Sequence, residues 1–363
     1  MSPIPTAPPR RTGGKDYGYP NARIRGMRSR LLARSFLDEL IATPDIVQFI
    51  QVMNETEYVA DLEETLIHGR TASAVDAALK LNMVRIYQKV LGFLNDEAEY
   101  IITTLLARWD VFNLKTIVRG KQMHLMNEEV SEGLLPAGQL SSVDLDALAA
   151  SEDVRAVVDT AVTWGLPFAH ALREGFARFQ QSGNLADIEL AVDRYYADWA
   201  SFRFSRGGAN LVLARRILGI QIDTTNLIMV LRLQKADTES IPPEQFFLEG
   251  GASIGAALYN ELARLSDVDE VLDRLRGTPY GQLLDDVAVR FIEENSISVF
   301  ERALEDYLVR RATSLGVGDP LGVGVGIAYL WAKQNEITNL RIIVKGKAVG
   351  MPEERVRREL ILV

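Results

Sequence analysis

Three positions in the sequence carry an acid and an amide three residues apart: Asp110 with Asn113, Asp223 with Asn226, and Glu336 with Asn339. A carboxyl group beside an amide could move a proton and orient the group that receives it, so acid–base catalysis is the first chemistry to weigh. The number of copies argues against it. A single active site needs one such pair, whereas a folding constraint acts on every copy. The other reading is structural. A carboxylate and an amide on the inner side of a helix must each find hydrogen-bond partners or cost a few kcal/mol. Once satisfied, they tie the helix to a neighbour and fix its register. The three pairs are read here as structural.

A cation follows six residues after each asparagine, as Arg119, Arg232 and Lys345, and the first and third copies add Lys121 and Lys347. Cations near a helix C-terminus complement the negative end of its dipole, and Gly120 and Gly346 stand where a helix C-cap is expected. The alternative is that Arg119, Lys121, Arg232, Lys345 and Lys347 present positive charge to an acidic partner. The capped helix end is the preferred reading, because exposed charges contribute little to stability or affinity.

Other chemistries find little support. The sequence has no cysteine, which excludes disulfides, thiolate metal sites and cysteine nucleophiles. His68, His124 and His170 are not paired at metal-ligand spacing. The glycine run from Gly316 to Gly326 lacks the Gly-Lys-Ser/Thr ending of a phosphate-binding loop and follows a helical pattern instead of a strand. It reads as a flexible entry to the last asparagine helix. No cofactor, metal or bound nucleotide is expected. A net charge of −9 argues against nucleic acid as a general partner. One local exception is the segment Arg23-Ile-Arg25-Gly-Met-Arg28-Ser-Arg30, with four arginines in eight residues. It reads as a solvated helix face, open to an acidic protein or a lipid headgroup.

The elements that position these residues are repeated with them. Asn113, Asn226 and Asn339 are spaced 113 residues apart, each inside a longer matching segment. Upstream of each lies a related stretch, Val75–Asn82, Ile188–Tyr195 and Phe300–Tyr307. Further upstream, Leu37–Ile46 resembles Leu145–Val154, with a third version at Glu261–Val271. Thr43, Ser151 and Ser266 are the expected helix N-caps there, with Pro44 at a first helical position. Apolar residues recur at helical spacing, as in Ile46, Phe49, Ile50 and Met53, and strict two-residue alternation is scarce. The expected fold is all-α, with three pseudo-repeated helical units: 17–130, 131–240 and 241–363. Residues 1–16, rich in Pro and Gly, read as a disordered tail. Arg10-Arg11 is not followed by an apolar stretch of the kind an export signal needs, and no run reaches the ~20 apolar residues of a membrane-spanning helix.

The ordered set of motifs resembles the C subunit of bacterial and archaeal rotary V/A-type ATPases, whose counterpart in the eukaryotic vacuolar enzyme is the d subunit. The residues that carry the resemblance are Tyr19-Pro-Asn-Ala-Arg-Ile-Arg25, Leu40 with Thr43, Thr56-Glu-Tyr58 and its return as Thr278-Pro-Tyr280. Asp110-x-x-Asn113-Leu-Lys with Arg119-Gly-Lys121, Asp223-x-x-Asn226, and Glu336-Ile-Thr-Asn339-Leu-Arg341 with Gly346-Lys347 complete it. The middle copy departs from the pattern at Leu166, where the others have Tyr, and at Leu233, where they have Gly. The resemblance implies a non-catalytic subunit whose three helical units form a funnel-shaped bundle. It implies two partners: the central-stalk subunits, and the proteolipid ring of the membrane sector. It places the chain in the cytoplasm, held to the membrane through the complex. A helical-repeat scaffold for some other protein partner is the alternative.

Overall fold

The computed structural model describes residues 17–234 and 242–363. The expected disordered tail, and the expected boundary between the second and third repeats, lie outside the described residues. Among those residues every regular element is helical, as the apolar spacing predicts.

The described chain divides into two compact units. One is Thr103–Arg311, and the other joins the residues up to Ile102 with Ala312–Val363. In the first, helices Ala169–Ser182 and Ala186–Arg203 pack along each other. Gly175 makes this possible, because a Cβ there would stand 2.6 Å from the Ile188 Cα. A second core of this unit gathers Leu227, Val230 and Leu231 of helix Ala209–Leu233 with Tyr259, Leu272, Leu275, Tyr280 and Phe300. In the other unit, the apolar helix Gly324–Ala348 packs on helix Ala72–Leu91 and on the N-terminal helix Gly18–Arg28. Its core includes Ile24, Phe49, Leu79, Tyr87, Ile327, Leu330 and Leu340, all buried.

The helix starts differ from expectation. Asp45, Asp153 and Asp267 are the N-caps, accepting from the backbone N–H groups of Gln48, Ala156 and Asp269. Thr43 and Ser151 instead donate back to Leu40 and Ala147 carbonyls at the end of the preceding helix. A carboxylate is the stronger acceptor for the positive end of a helix, so the acid takes the cap and the hydroxyl is left to the helix before it. Pro44 accordingly precedes the cap. The glycine run is also more ordered than a flexible entry. Helix Ser298–Gly318 continues through its first two glycines, and helix Gly324–Ala348 contains its last two. Gly316 lets the helices approach, since a Cβ there would meet the Ala328 Cβ at 3.1 Å.

Candidate functional site

The three asparagines make one and the same bond pattern. Asn113 donates from Nδ2 to the Leu135 carbonyl at 2.6 Å and accepts from the Leu135 N–H at 2.8 Å. Asn226 does both with Leu248, each at 2.9 Å. Asn339 does both with Ile361, at 2.8 and 3.1 Å. The partner is 22 residues further along the chain in every case. A side-chain amide has the donor–acceptor pair of a peptide group, so each Asn acts as a strand of one residue that holds an irregular segment against its helix.

The acids bind the next stretch of backbone. Asp110 accepts from the N–H groups of Gln139 and Leu140 at 2.8 and 2.9 Å. Asp223 accepts from Ser253 and Ile254 at 2.8 and 3.0 Å. Glu336 accepts from the Leu32 N–H, which comes from the other end of the sequence. Two of the acids gain a phenol. Tyr280 donates to Asp223 at 2.8 Å, and Tyr58 donates to Glu336 at 2.7 Å. Each tyrosine is placed by the threonine two residues before it. Thr56 and Thr278 donate to the carbonyls of Met53 and Leu275 and accept from the N–H groups of Tyr58 and Tyr280. Burial, and then the adjacent carboxylate, push both phenols above their ordinary value, so they remain donors. Asp110 is held by backbone. Burial raises its carboxyl to about 6, against the two N–H groups that pull it down. Asp223 is also raised by burial, with Tyr280 and the backbone N–H groups opposing.

Close approach of backbone to carboxylate needs glycine. A Cβ on Gly138 or Gly251 would overlap the carboxylates of Asp110 and Asp223.

The site with Glu336 carries something the other two lack. Lys333 is fully buried, and its ammonium donates to Glu57 at 2.5 Å, to the Tyr58 hydroxyl at 2.9 Å and to Glu336 at 3.0 Å. It also lies 4.2 Å from the centre of the Tyr58 ring. Asp61, on the helix that follows Tyr58, accepts from Asn82 at 2.7 Å and from Arg85 at 2.5 Å.

The basic residues are largely engaged within the chain. Arg119 forms a two-pronged pair with Glu189, both contacts at 2.5 Å, and Lys115 reaches Asp193 at 2.8 Å. Arg232 meets Glu301 at 2.8 Å, and Arg341 meets Asp76 at 2.5 Å. Lys121 is buried and donates to Asn127 at 2.6 Å, while Lys347 donates to the carbonyls of Ile41 and Thr43. Lys345 is exposed. The helices run past the glycines expected as caps, to Gln122 and Ala348. Gly120 and Gly346 instead admit Val130 and Val356, which a Cβ would meet at 2.5 and 2.8 Å.

The carboxylate oxygens of all three acids are thus occupied by donors of the same chain, at positions away from solvent. Such an arrangement fixes backbone. Among the described residues no group of three or more His, Cys, Asp or Glu is arranged to hold a metal, and no helix is long and apolar enough to cross a membrane. The sequence did not point to the backbone partners Leu135, Leu248 and Ile361, because a peptide group carries no side-chain signature. Lys333 and Glu57 gave no repeat signal, since their equivalents in the other copies are not charged. The spacing of Gly138 and Gly251, also 113 residues, was available in the sequence.

The chain is similar to known proteins along most of its length. A family profile described as ATP synthase (C/AC39) subunit matches residues 20–359. The C subunit of the V-type ATP synthase of Deinococcus radiodurans is 30% identical over 95% of this chain and 91% of its own length. The C subunit of the A-type ATP synthase of Methanocaldococcus jannaschii is 27% identical over 95% of this chain and 86% of its own. That of Methanosarcina mazei is 28% identical over 98% and 95%.

Proposed function

The chain belongs to the ATP synthase (C/AC39) subunit family of V/A-type complexes, a non-catalytic subunit family, and from that premise we propose that it is a mechanical coupler. In this reading it is a socket between the rotating central stalk and the proteolipid ring, on the cytoplasmic side, with its three sequence repeats (17–130, 131–240 and 241–363) forming a funnel. The observation that supports it is the triple bonding scheme: three helices, each with a buried acid and amide that lock a distant loop. A part that transmits torque must not yield at its loops. Side chains bonded twice to backbone, inside a packed core, resist the slippage that torque would cause in a way that exposed ion pairs do not. Of the five basic residues considered for partner contact, Lys345 is exposed and makes no ion pair among the described residues, so it is the strongest candidate.

The experiment is removal and return of the subunit in native membranes. Without it, ATP hydrolysis by the catalytic sector should persist while ATP-driven ion pumping is lost, and purified protein should restore pumping. Pumping that continues without the subunit would overturn the proposal.

A further inference from the structure

Helix Gly18–Arg28 and the turn after it expose Arg23, Arg25, Arg28 and Arg30, and Arg34 follows. No carboxylate of the described residues pairs with any of them. Arg23 bonds the Tyr19 hydroxyl at 2.8 Å and stacks 4.7 Å from the centre of the Phe93 ring, and Arg25 reaches only the Pro320 carbonyl. The acids of the adjoining segments bond other partners, although Glu97 and Asp319 bond neutral donors and keep their charge. Glu97 accepts from Tyr17, Asp319 accepts from the N–H of Leu321 in its own turn, and Glu336 is held by Leu32, Tyr58 and Lys333. In a chain of net charge −9, so many unpaired arginines on one short segment make a local positive face.

Apolar side chains stand beside this face. Asn21 fastens the helix to the turn 319–323 through the carbonyls of Pro320 and Gly322, both at 3.0 Å. That turn exposes Leu321 to 63%, the helix before it exposes Val317 to 81%, and Tyr19 is 60% exposed. Arg28 lies against Gly316, one residue from Val317.

We propose that this face, Arg23, Arg25, Arg28 and Arg30 with Tyr19, Val317 and Leu321, docks directly on an anionic phospholipid bilayer. Arginines attract anionic headgroups, and exposed aliphatic and aromatic side chains beside them enter the headgroup boundary. Side chains as exposed as Val317 and Leu321 project outward, which suits a flat lipid surface. An extended acidic peptide would need a concave track. The proposal concerns direct lipid contact and does not depend on the coupling role.

The test is co-sedimentation of the purified full chain with vesicles of phosphatidylcholine alone or mixed with phosphatidylglycerol. Binding is expected to the mixed vesicles only and to weaken with added salt. The triple variant Arg25→Gln, Arg28→Gln, Arg30→Gln should bind them on the order of a hundredfold more weakly. Leu321→Asp, a change at an exposed position outside the core, should weaken binding without altering the arginines. Unchanged thermal unfolding of both variants shows that they are folded. Equal binding to both vesicle types, no binding to either, or full binding by the triple variant would each overturn the proposal. Capture of poly-glutamate by the parent chain, lost in the triple variant, with no vesicle binding, would reassign the face to an acidic protein.

Discussion

Tyr58 donates its hydroxyl to Glu336 at 2.7 Å across 278 residues of sequence, and the pair is buried together with Lys333. Tyr280 and Asp223 make the equivalent bond 57 residues apart. One bonding scheme is therefore closed once by near neighbours and once by the two ends of the sequence. Replacing Tyr58 or Tyr280 by Phe leaves a buried carboxylate short of a donor. Each is expected to lower unfolding free energy by about 1–3 kcal/mol, read from urea midpoints. A change within error at both sites would show that the phenols are dispensable.

Lys333 is the buried charge with the most at stake. Lys333→Met strips Glu57 and Glu336 of their cation and should cost about 3–5 kcal/mol. Adding Glu336→Gln removes one uncompensated charge and should recover part of that loss. If the double variant is no more stable than Lys333→Met, the charge pairing is not what holds the site.

Asp110 gives the folded protein a distinctive response to pH. Its carboxyl titrates at about 6 when folded, against an ordinary value of 3.8. Between those values the folded protein keeps a proton that the unfolded chain has released. The contribution of Asp110 to stability is therefore highest below 3.8 and falls as pH rises to about 6, by on the order of 3 kcal/mol in all. Other carboxylates superimpose their own slopes, so the measurement is a difference: urea midpoints of the parent and of Asp110→Asn at steps from about pH 4 to about pH 7. The parent should lose stability relative to the variant across that range. Parallel curves would count against the raised carboxyl.

Gly138 and Gly251 test the close approach of backbone to acid. Alanine at either position would force its methyl group onto the carboxylate of Asp110 or Asp223. A loss of about 1–3 kcal/mol is expected. Gly26, in the N-terminal helix with nothing within 4 Å of an added Cβ, is the matched control. There alanine should be neutral or stabilise by up to about 1 kcal/mol. Thermal unfolding of the three variants side by side would decide it.

Arg119 and Glu189 have good two-pronged geometry, yet the arginine side chain is 56% exposed. Arg119→Gln is expected to cost no more than about 1 kcal/mol. Removal of Ile361–Val363 should cost several times as much, because Asn339 then loses its acceptor and its donor in the core. A larger effect from the arginine than from the truncation would reverse this ranking.

The helical class, the repeat at Asn113, Asn226 and Asn339, and the family were all legible in the sequence. Each rests on local rules. Apolar spacing selects a helix, and equivalent positions in each copy keep the same side-chain type because they meet the same demand. The sequence also singled out Thr56-x-Tyr58 and Thr278-x-Tyr280, without revealing what they touch. Tertiary structure decided the partners. Asn113 bonds a peptide group, and any residue supplies one, so Leu135 left no trace in composition. The caps went to Asp45, Asp153 and Asp267 because several neighbouring side chains could reach the same N–H groups, and only the settled backbone shows which one does. Gly120 and Gly346 proved to be contact points for Val130 and Val356, a demand made by atoms elsewhere in the chain. Leu32 meets Glu336 for the same reason: which distant segments come together is set by packing of the whole unit, and spacing along the chain does not encode it.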